Sequence, residues 1–249
     1  MFKKVKILSI IGKSINAGLK RMIIPEKEID QFKMPLFISK KLQEDLEVIK
    51  NLETKFKINK IQNYNIGWDK SSASERVTRI FLGNLKIKNE DLPLITRLDG
   101  LELLNLDYNN ITNIKLLRGL NSLRQLSLKK NQIKEIKDFD ILTSLQDLNL
   151  SHNQISKIQG LGKLTKLEDL NLSNNQISKI EGLEKLTKLE KLSLYNNQIK
   201  SIKGLNSLEN LSKWDLFNNR VMSIEGLENL TSLKKFMIKE DPYEFLHTI

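Results

Sequence analysis

Leucine and isoleucine recur at fixed positions in a 22-residue unit that repeats from Leu101 to about Asp241. A clear copy starts at Leu167 and reads Leu-Glu-Asp-Leu-Asn-Leu-Ser-Asn-Asn-Gln-Ile-Ser-Lys-Ile-Glu-Gly-Leu-Glu-Lys-Leu. The alternation of apolar and polar residues at each x-Leu-x centre predicts a short strand with its leucines on one face. The second half of the unit is predicted to return the chain on the other side, through 3₁₀ or short α turns and a tight position at a recurring glycine. A fixed period of this length indicates a solenoid.

An asparagine marks the point where each unit leaves its strand. Its side-chain amide can donate to and accept from backbone groups of the turn and of the adjacent unit. We therefore predict a structural ladder rather than a catalytic set. The ladder consists of Asn109, Asn131, Asn153, Asn175, Asn197 and Asn219.

The predicted fold is an α/β solenoid: a horseshoe with a parallel concave β-sheet, and 3₁₀ or short α returns on its convex side. About eight units fill residues 77–241, and a short C-terminal cap is expected at 242–249. The first unit has Leu85 where the ladder asparagine should stand, as terminal units are often atypical. Trp214 and Phe236 replace a central strand leucine and are predicted to lie in the core.

Residues 1–76 are predicted to form a helical N-terminal segment that caps the open end of the solenoid. Ser39 is a good N-cap, and apolar residues follow at helical spacing up to Phe56. The polar stretch 61–74 is predicted to be a loop. Residues 5–23 carry apolar residues on one helical face. This face is expected to pack on the domain, with contact to a membrane surface as the alternative.

The charge of the chain suggests two classes of partner besides a protein. Its formal net charge is +11, and residues 1–75 contain 15 basic and nine acidic residues. A basic chain can bind nucleic acid or an anionic membrane, but mixed signs along the repeats favour an ordinary solvated surface, so nucleic acid is not the expected partner. There is no cysteine and there are two histidines, so neither a metal site nor a cofactor is expected. The sequence contains no run of 18 apolar residues, so no transmembrane helix is predicted. A cytoplasmic location is expected.

These motifs resemble the leucine-rich repeat superfamily, in its 22-residue class, over residues 77–241. The pattern Ile-Glu-Gly-Leu-Glu at 180–184 and 224–228 is similar to repeats of the leucine-rich regulatory subunit of protein phosphatase 1. The pattern Asn-Gln-Ile-Ser at 153–156 and 175–178 is similar to bacterial internalins. The resemblance implies an adaptor that binds a folded protein on its concave face, and a phosphatase or another signalling enzyme is one partner class.

Partner-binding residues are predicted among the side chains that flank or follow the strand leucines. Exposed aromatic residues on a rigid surface are frequent anchors, and opposite charges select a complementary partner. The surface is predicted to run from an apolar start through an acidic middle to a basic and aromatic end. Its residues in that order are Phe81, Leu103, Tyr108, Asp147, Asp169, Lys191, Tyr195, Lys213 and Phe217.

Catalysis on this surface is not expected. Asp147 and Asp169 occupy equivalent positions of adjacent strands, so their carboxylates could lie about 5 Å apart and share acid and base roles. However, an open face does not exclude water, and His152 has no evident nucleophile beside it. No small-molecule substrate is therefore predicted. The alternatives to an adaptor are a membrane- or nucleic-acid-associated protein that uses the basic N-terminal segment, or an internalin-like bacterial effector.

Overall fold

The repeats form one sheet whose strands follow each other in chain order. The computed structural model describes residues 39–58, 64–69, 74–222 and 230–238, and the side chains of 64–69, Ser74 and Glu75 are not included. Strands β2 to β9 pair in parallel, one strand for each unit, which confirms the predicted solenoid. The strands are β1 Tyr64–Asp69, β2 Ser74–Phe81, β3 Leu103–Asn105, β4 Gln125–Ser127, β5 Asp147–Asn149, β6 Asp169–Asn171, β7 Lys191–Ser193, β8 Lys213–Asp215 and β9 Lys235–Met237.

Two predicted segments lie outside the described residues. They are the amphipathic stretch 5–23 and the C-terminal cap 242–249. Within the described part, no helix is both long and apolar enough to cross a membrane.

The central residue of each strand packs between the equivalent residues of its neighbours. Leu170, for example, is in register with Leu148 on one side and Leu192 on the other, and all three are buried. Trp214 continues this row and is 1% exposed, so its predicted core position is confirmed. Phe236 follows Trp214, stacks on it with ring centroids 4.8 Å apart, and stays partly exposed.

The ladder asparagines connect each unit to the unit before it. Asn175 Oδ1 accepts the backbone N–H of Ile155 at 3.0 Å, and Nδ2 donates to the carbonyls of Leu150 and Leu172, each at 3.0 Å. Asn131, Asn153, Asn197 and Asn219 repeat this arrangement. One side chain per unit thus satisfies backbone groups that the turn would otherwise leave unpaired.

The cap helix α1 spans Lys40–Lys55 and begins at the predicted N-cap. Ser39 Oγ accepts the backbone N–H of Leu42 at 3.1 Å. The helix packs against β2 and against a short helix α2, Leu92–Ile95, in the first return. Its buried apolar residues are Leu42, Val48, Ile49 and Leu52.

The prediction of a loop at 61–74 is wrong for seven of its residues, since Ser74 begins β2 and six others form a further strand. Tyr64–Asp69 forms β1, which pairs antiparallel with β2, and the register shifts between Asn65 and Ile66. The first strand of a parallel array has an open edge of unpaired backbone groups, and β1 covers it. The cap therefore contains a strand as well as a helix, and the predicted 76/77 boundary falls inside β2. Local polarity did not reveal β1, because its pairing partner is supplied by the solenoid.

A buried ion pair links the cap helix to the first strand. Arg76 donates to Asp45 from Nε and from Nη2, both at 2.9 Å, and Asp45 also accepts the backbone N–H of Val77. Asp45 is 1% and Arg76 3% exposed, and Arg76 also binds Asp99. The hydrogen bonds to Asp45 hold the pKa of Arg76 above its usual value. Lys55, in the last turn of α1, adds an ion pair to Asp91 at 2.6 Å.

Regular helix occurs in only two of the described returns. The first contains a 3₁₀ helix at Asn89–Asp91, which leads into α2, and another contains a 3₁₀ helix at Phe139–Ile141. The remaining described returns are successive turns and irregular segments. In three of them a glycine with positive φ lies against the preceding unit, as at Gly160, where φ is 84°. A Cβ on Gly160 would lie 2.4 Å from the carbonyl oxygen of Ile136.

Replacing Gly160 with alanine is expected to lower the free energy of unfolding by about 2 kcal/mol, because the new Cβ meets a backbone carbonyl in a left-handed conformation. Chemical denaturation followed by circular dichroism measures the change. Gly162→Ala is the matched control, because its Cβ would find only the end of the Lys185 side chain, at 3.7 Å. Equal stability of the two variants would contradict the proposed close approach.

Candidate partner-binding surface

The strand face comprises the first and third residues of strands β3–β9, whose side chains flank the buried central residue. Phe81, at the end of β2, extends this face and is 41% exposed. Each unit from β3 to β8 has a second buried leucine two positions after its central strand residue. The strand-exit edge comprises the two residues that follow this second leucine. At the second of these positions the backbone is left-handed, with φ between 53° and 57°. The residues with this conformation are Tyr108, Lys130, His152, Asn174, Asn196 and Asn218.

The left-handed position turns the chain sharply toward the ladder asparagine. Asparagine tolerates this conformation better than most residues, so its recurrence at Asn174, Asn196 and Asn218 was the sequence signal for the turn. Their side chains form a second, exposed amide ladder. Asn196 Nδ2 donates to Asn174 Oδ1 at 2.8 Å, and Asn218 Nδ2 donates to Asn196 Oδ1 at 2.7 Å.

Four predicted partner-binding residues meet in one open depression on the strand face. Phe81 and Leu103 line its apolar end, and Asp147 and Asp169 line its acidic end. The depression has a volume of about 380 Å³. Its polar lining also includes Asn105, Gln125, Ser127, Asn149 and Asn171. The depression therefore offers an apolar wall, polar groups and two carboxylates on one rigid surface.

The two carboxylates are in register but are bound to different neighbours. Asp147 Oδ2 accepts a hydrogen bond from Gln125 Nε2, and Asp169 Oδ2 accepts one from Lys191 Nζ at 3.2 Å. The hydrogen bond to Asp169 raises the pKa of Lys191. Lys191 is thus less available to a partner than the sequence suggested, because much of its charge is balanced on the protein itself.

Two other predicted residues form a stacked pair at the strand-exit edge. The rings of Tyr195 and Phe217 have centroids 5.7 Å apart and planes 12° apart. Both residues are partly exposed. We call them the aromatic pair. Since each ring covers one face of the other, the pair presents ring edges and outer faces to a partner.

Tyr108 lies at the same edge in an earlier unit and does not line the depression. It is 47% exposed, and Lys130 Nζ lies 4.8 Å from the centre of its ring. This distance permits a cation–π contact. His152 follows in the same position, where its burial and the charges of Lys129 and Lys130 hold its pKa below the usual range.

A row of lysines crosses the last described strands. Lys191, Lys213 and Lys235 occupy the first positions of β7, β8 and β9 and are in register. All three are exposed, and neither Lys213 nor Lys235 has an ion pair with another described residue. The sequence analysis included the first two but missed Lys235, although its 22-residue spacing from Lys213 was a sufficient signal.

Asp215 is the acidic neighbour of this row. It lies two residues after Lys213, and its carboxylate accepts the backbone N–H of Phe217 at 3.0 Å. Its partial burial raises its pKa, against the effects of that hydrogen bond and of Lys235.

As for metals, the described side chains contain no group of three or more histidine, cysteine or acidic residues that could hold an ion.

Comparisons with known proteins agree with this architecture. A family model described as leucine-rich repeats in two copies matches residues 143–185. A leucine-rich repeat protein of Leptospira interrogans is 33% identical, with 57% of this chain covered and a TM-score of 0.51. This chain spans only 38% of the length of that protein. No curated protein sequence matches the chain.

Two further solved structures share the fold. Internalin C2 of Listeria monocytogenes is 24% identical over 78% of this chain and 92% of its own, with a TM-score of 0.51. TLR13, in a complex with the single-stranded RNA ssRNA13, is 25% identical over 68% of this chain and 26% of its own, with a TM-score of 0.60. The repeat, the asparagine ladder and the parallel sheet, together with these matches, identify the architecture as that of leucine-rich repeat proteins. The finer resemblance to the regulatory subunit of protein phosphatase 1 stays a prediction.

Proposed function

We propose that the protein is a non-catalytic adaptor that binds a folded protein partner on the strand face and the adjoining strand-exit edge. Leucine-rich repeat proteins are generally protein-interaction modules, and this chain has their architecture. The observation that carries the proposal is the depression, where Phe81 and Leu103 lie opposite Asp147 and Asp169. A partner surface that carries an apolar side chain beside a cationic one would match both ends.

Rigidity of the surface supports binding. The strands are hydrogen-bonded in register, and the ladder asparagines connect consecutive units, so few groups need to be ordered when a partner binds. A preorganised surface loses less conformational entropy on association. The aromatic pair adds exposed rings in a fixed geometry, and such rings are often the residues that contribute most to binding.

The proposal includes no cofactor and no small-molecule substrate. Asp147 and Asp169 are each bound to a neighbouring side chain, and the depression is open to water, which is unfavourable for acid–base chemistry. A cytoplasmic location, and a phosphatase or another signalling enzyme as partner, are parts of the proposal that rest on the sequence patterns alone. An internalin-like effector is compatible with the same fold and would use the same surface.

RNA is the second candidate ligand. The solved TLR13 complex contains a single-stranded RNA, and this chain carries the lysine row beside aromatic rings, a combination that binds single strands in other proteins. The parallel rings of the aromatic pair cover one another's faces, which leaves less surface for stacking of bases. Protein binding is therefore the better-supported candidate. The basic segment within residues 1–75, which could also bind RNA or membranes, lies mostly outside the described residues.

Affinity capture tests the adaptor function. The full chain and a Tyr195→Ala, Phe217→Ala, Asp169→Ala variant serve as baits in a lysate of the source cells, and the captured protein is then purified and titrated. We expect the triple variant to bind that partner at least about 30-fold more weakly, which corresponds to loss of one strong anchor.

The matched control for this experiment changes three exposed residues of the returns, Lys166→Ala, Lys188→Ala and Glu209→Ala. It should retain the partner. Retention of the partner by the strand-face variant would refute the proposed surface. Capture of RNA alone, released by nuclease, would favour the second candidate.

A further inference from the structure

The lysine row and its surroundings favour an acidic partner segment, which the depression does not. Three lysines are exposed on strands β7–β9, and a fourth exposed lysine, Lys234, directly precedes β9. They face one exposed acid, Glu190, and the partly buried Asp215. Asp215 is engaged by the Phe217 backbone, and Lys191 is engaged by Asp169. Lys213, Lys234 and Lys235 therefore form an excess of positive charge at the C-terminal end of the strand face.

The spacing of the row is set by the sheet. Neighbouring strands lie about 4.8 Å apart, so the in-register residues Lys191, Lys213 and Lys235 span roughly 10 Å in a line across the strands. One turn of an α-helix rises about 5.4 Å, which is close to this interval. Helix residues i, i+3 and i+7 lie on one face and span about 10.5 Å. By contrast, alternate residues of an extended peptide are about 6.6 Å apart, and three of them would overrun the row.

On the side toward the strand-exit edge, the row is followed by Ser193, Asp215 and Met237, and then by the aromatic pair. Met237 follows Lys235 by two residues and is 37% exposed. The aromatic pair belongs to the same units as Lys191 and Lys213. A helix that lies along the row would thus place its acidic stripe on the lysines and an adjacent apolar residue against Met237 or the aromatic pair.

We propose that the C-terminal part of the strand face, around Lys213 and Lys235, binds an α-helix of the protein partner that carries acidic residues at i, i+3 and i+7. This inference rests on the proposed adaptor function and adds the chemistry and secondary structure of the partner. The acidic end of the depression, around Asp147 and Asp169, repels the same helix. The two halves of the face therefore orient it, and the helix lies across β7–β9 rather than over β5 and β6.

Two peptides of one composition test the proposal. The first is a covalently stapled helix with glutamates at i, i+3 and i+7 and a leucine at i+4, and the second has the same residues with its glutamates dispersed around the helix. Fluorescence anisotropy at physiological salt measures their affinities for the full chain. We expect the striped helix to bind about tenfold more tightly than the dispersed one, since only the stripe can place its glutamates together along the lysine row, on Lys213 and Lys235.

Charge reversal locates the site. Lys213→Glu with Lys235→Glu is expected to weaken binding of the striped helix by about 100-fold, because attraction becomes repulsion at two contacts. The control, Lys166→Glu with Lys188→Glu, makes the same change in net charge but on the returns. It should weaken binding of the striped helix by less than about threefold. Equal weakening by both variants would show attraction to net charge only and would overturn the proposal. Equal affinity for the two peptides would overturn the helical geometry.

The same variants separate this inference from the adaptor function. The partner captured with the full chain is titrated against each variant separately. Both the lysine-reversal variant and the Tyr195, Phe217 and Asp169 variant should lose binding. If only the latter loses the partner, the adaptor function stands and the acidic helix is refuted. If neither loses it, the strand face is not the binding surface. A single-stranded RNA oligonucleotide that binds more tightly than the striped helix, and is lost on lysine reversal, would assign the row to RNA.

Discussion

Replacing Asp45 with alanine is expected to lower the free energy of unfolding by about 4 kcal/mol, because it leaves the buried Arg76 guanidinium without its main partner. The Arg76 residue is 3% exposed, and its remaining partner, Asp99, has a side chain that is half exposed. The variant also removes the acceptor for the Val77 backbone N–H in β2. Urea denaturation followed by circular dichroism measures the loss, and hydrogen exchange should show it first in α1 and β2.

A second pair of variants identifies the cause of that loss. Glu44→Ala, one residue earlier on the exposed side of α1, should change the stability by less than about 0.5 kcal/mol. Asp45→Leu combined with Arg76→Met replaces both charges by apolar groups and should recover most of the loss, since it removes the uncompensated buried charge. A loss below about 1 kcal/mol in Asp45→Ala would show that the pair does not hold the cap on the solenoid.

Replacing Asn175 with alanine is expected to lower the free energy of unfolding by about 3 kcal/mol, because several buried backbone groups lose their partners at once. The Ile155 N–H loses its acceptor, and the carbonyls of Leu150 and Leu172 lose a donor. Asn175 is 9% exposed, so water cannot readily replace the amide. The same denaturation experiment measures the change, and hydrogen exchange of Ile155 reports it locally.

Two controls accompany this variant. Gln176→Ala changes the next residue, which is exposed, and should leave the stability within about 0.5 kcal/mol of the parent. Asn219→Ala removes the last described asparagine of the ladder, which is only partly buried, and should cost less than Asn175→Ala because water can reach the freed groups. A loss at Asn219 as large as that at Asn175 would contradict burial as the cause.

The candidate surface was predictable to the extent that it follows the repeat. Because equivalent residues of successive units lie side by side, the 22-residue period placed Leu103, Asp147 and Asp169 on one face, and the strand pattern of the first, 24-residue unit added Phe81. The pairing of their side chains was not predictable. Asp169 had two neighbours in register, Asp147 and Lys191, and only the folded chain shows that it binds the lysine. The stacking of Tyr195 on Phe217 likewise depends on the choice of side-chain rotamers.

The sequence by itself determined the solenoid, the order and register of its parallel strands, the asparagine ladder and the N-cap of α1. Each of these follows from local or periodic patterns, in which every unit repeats the contacts of the previous one. Only the tertiary structure decided how the repeats begin. Strand β1 forms because β2 has an open edge, and Asp45 is buried because Arg76, 31 residues later, comes to lie against it. Contacts of this kind occur once in the chain, join residues that no period relates, and therefore leave no regular signal in the sequence.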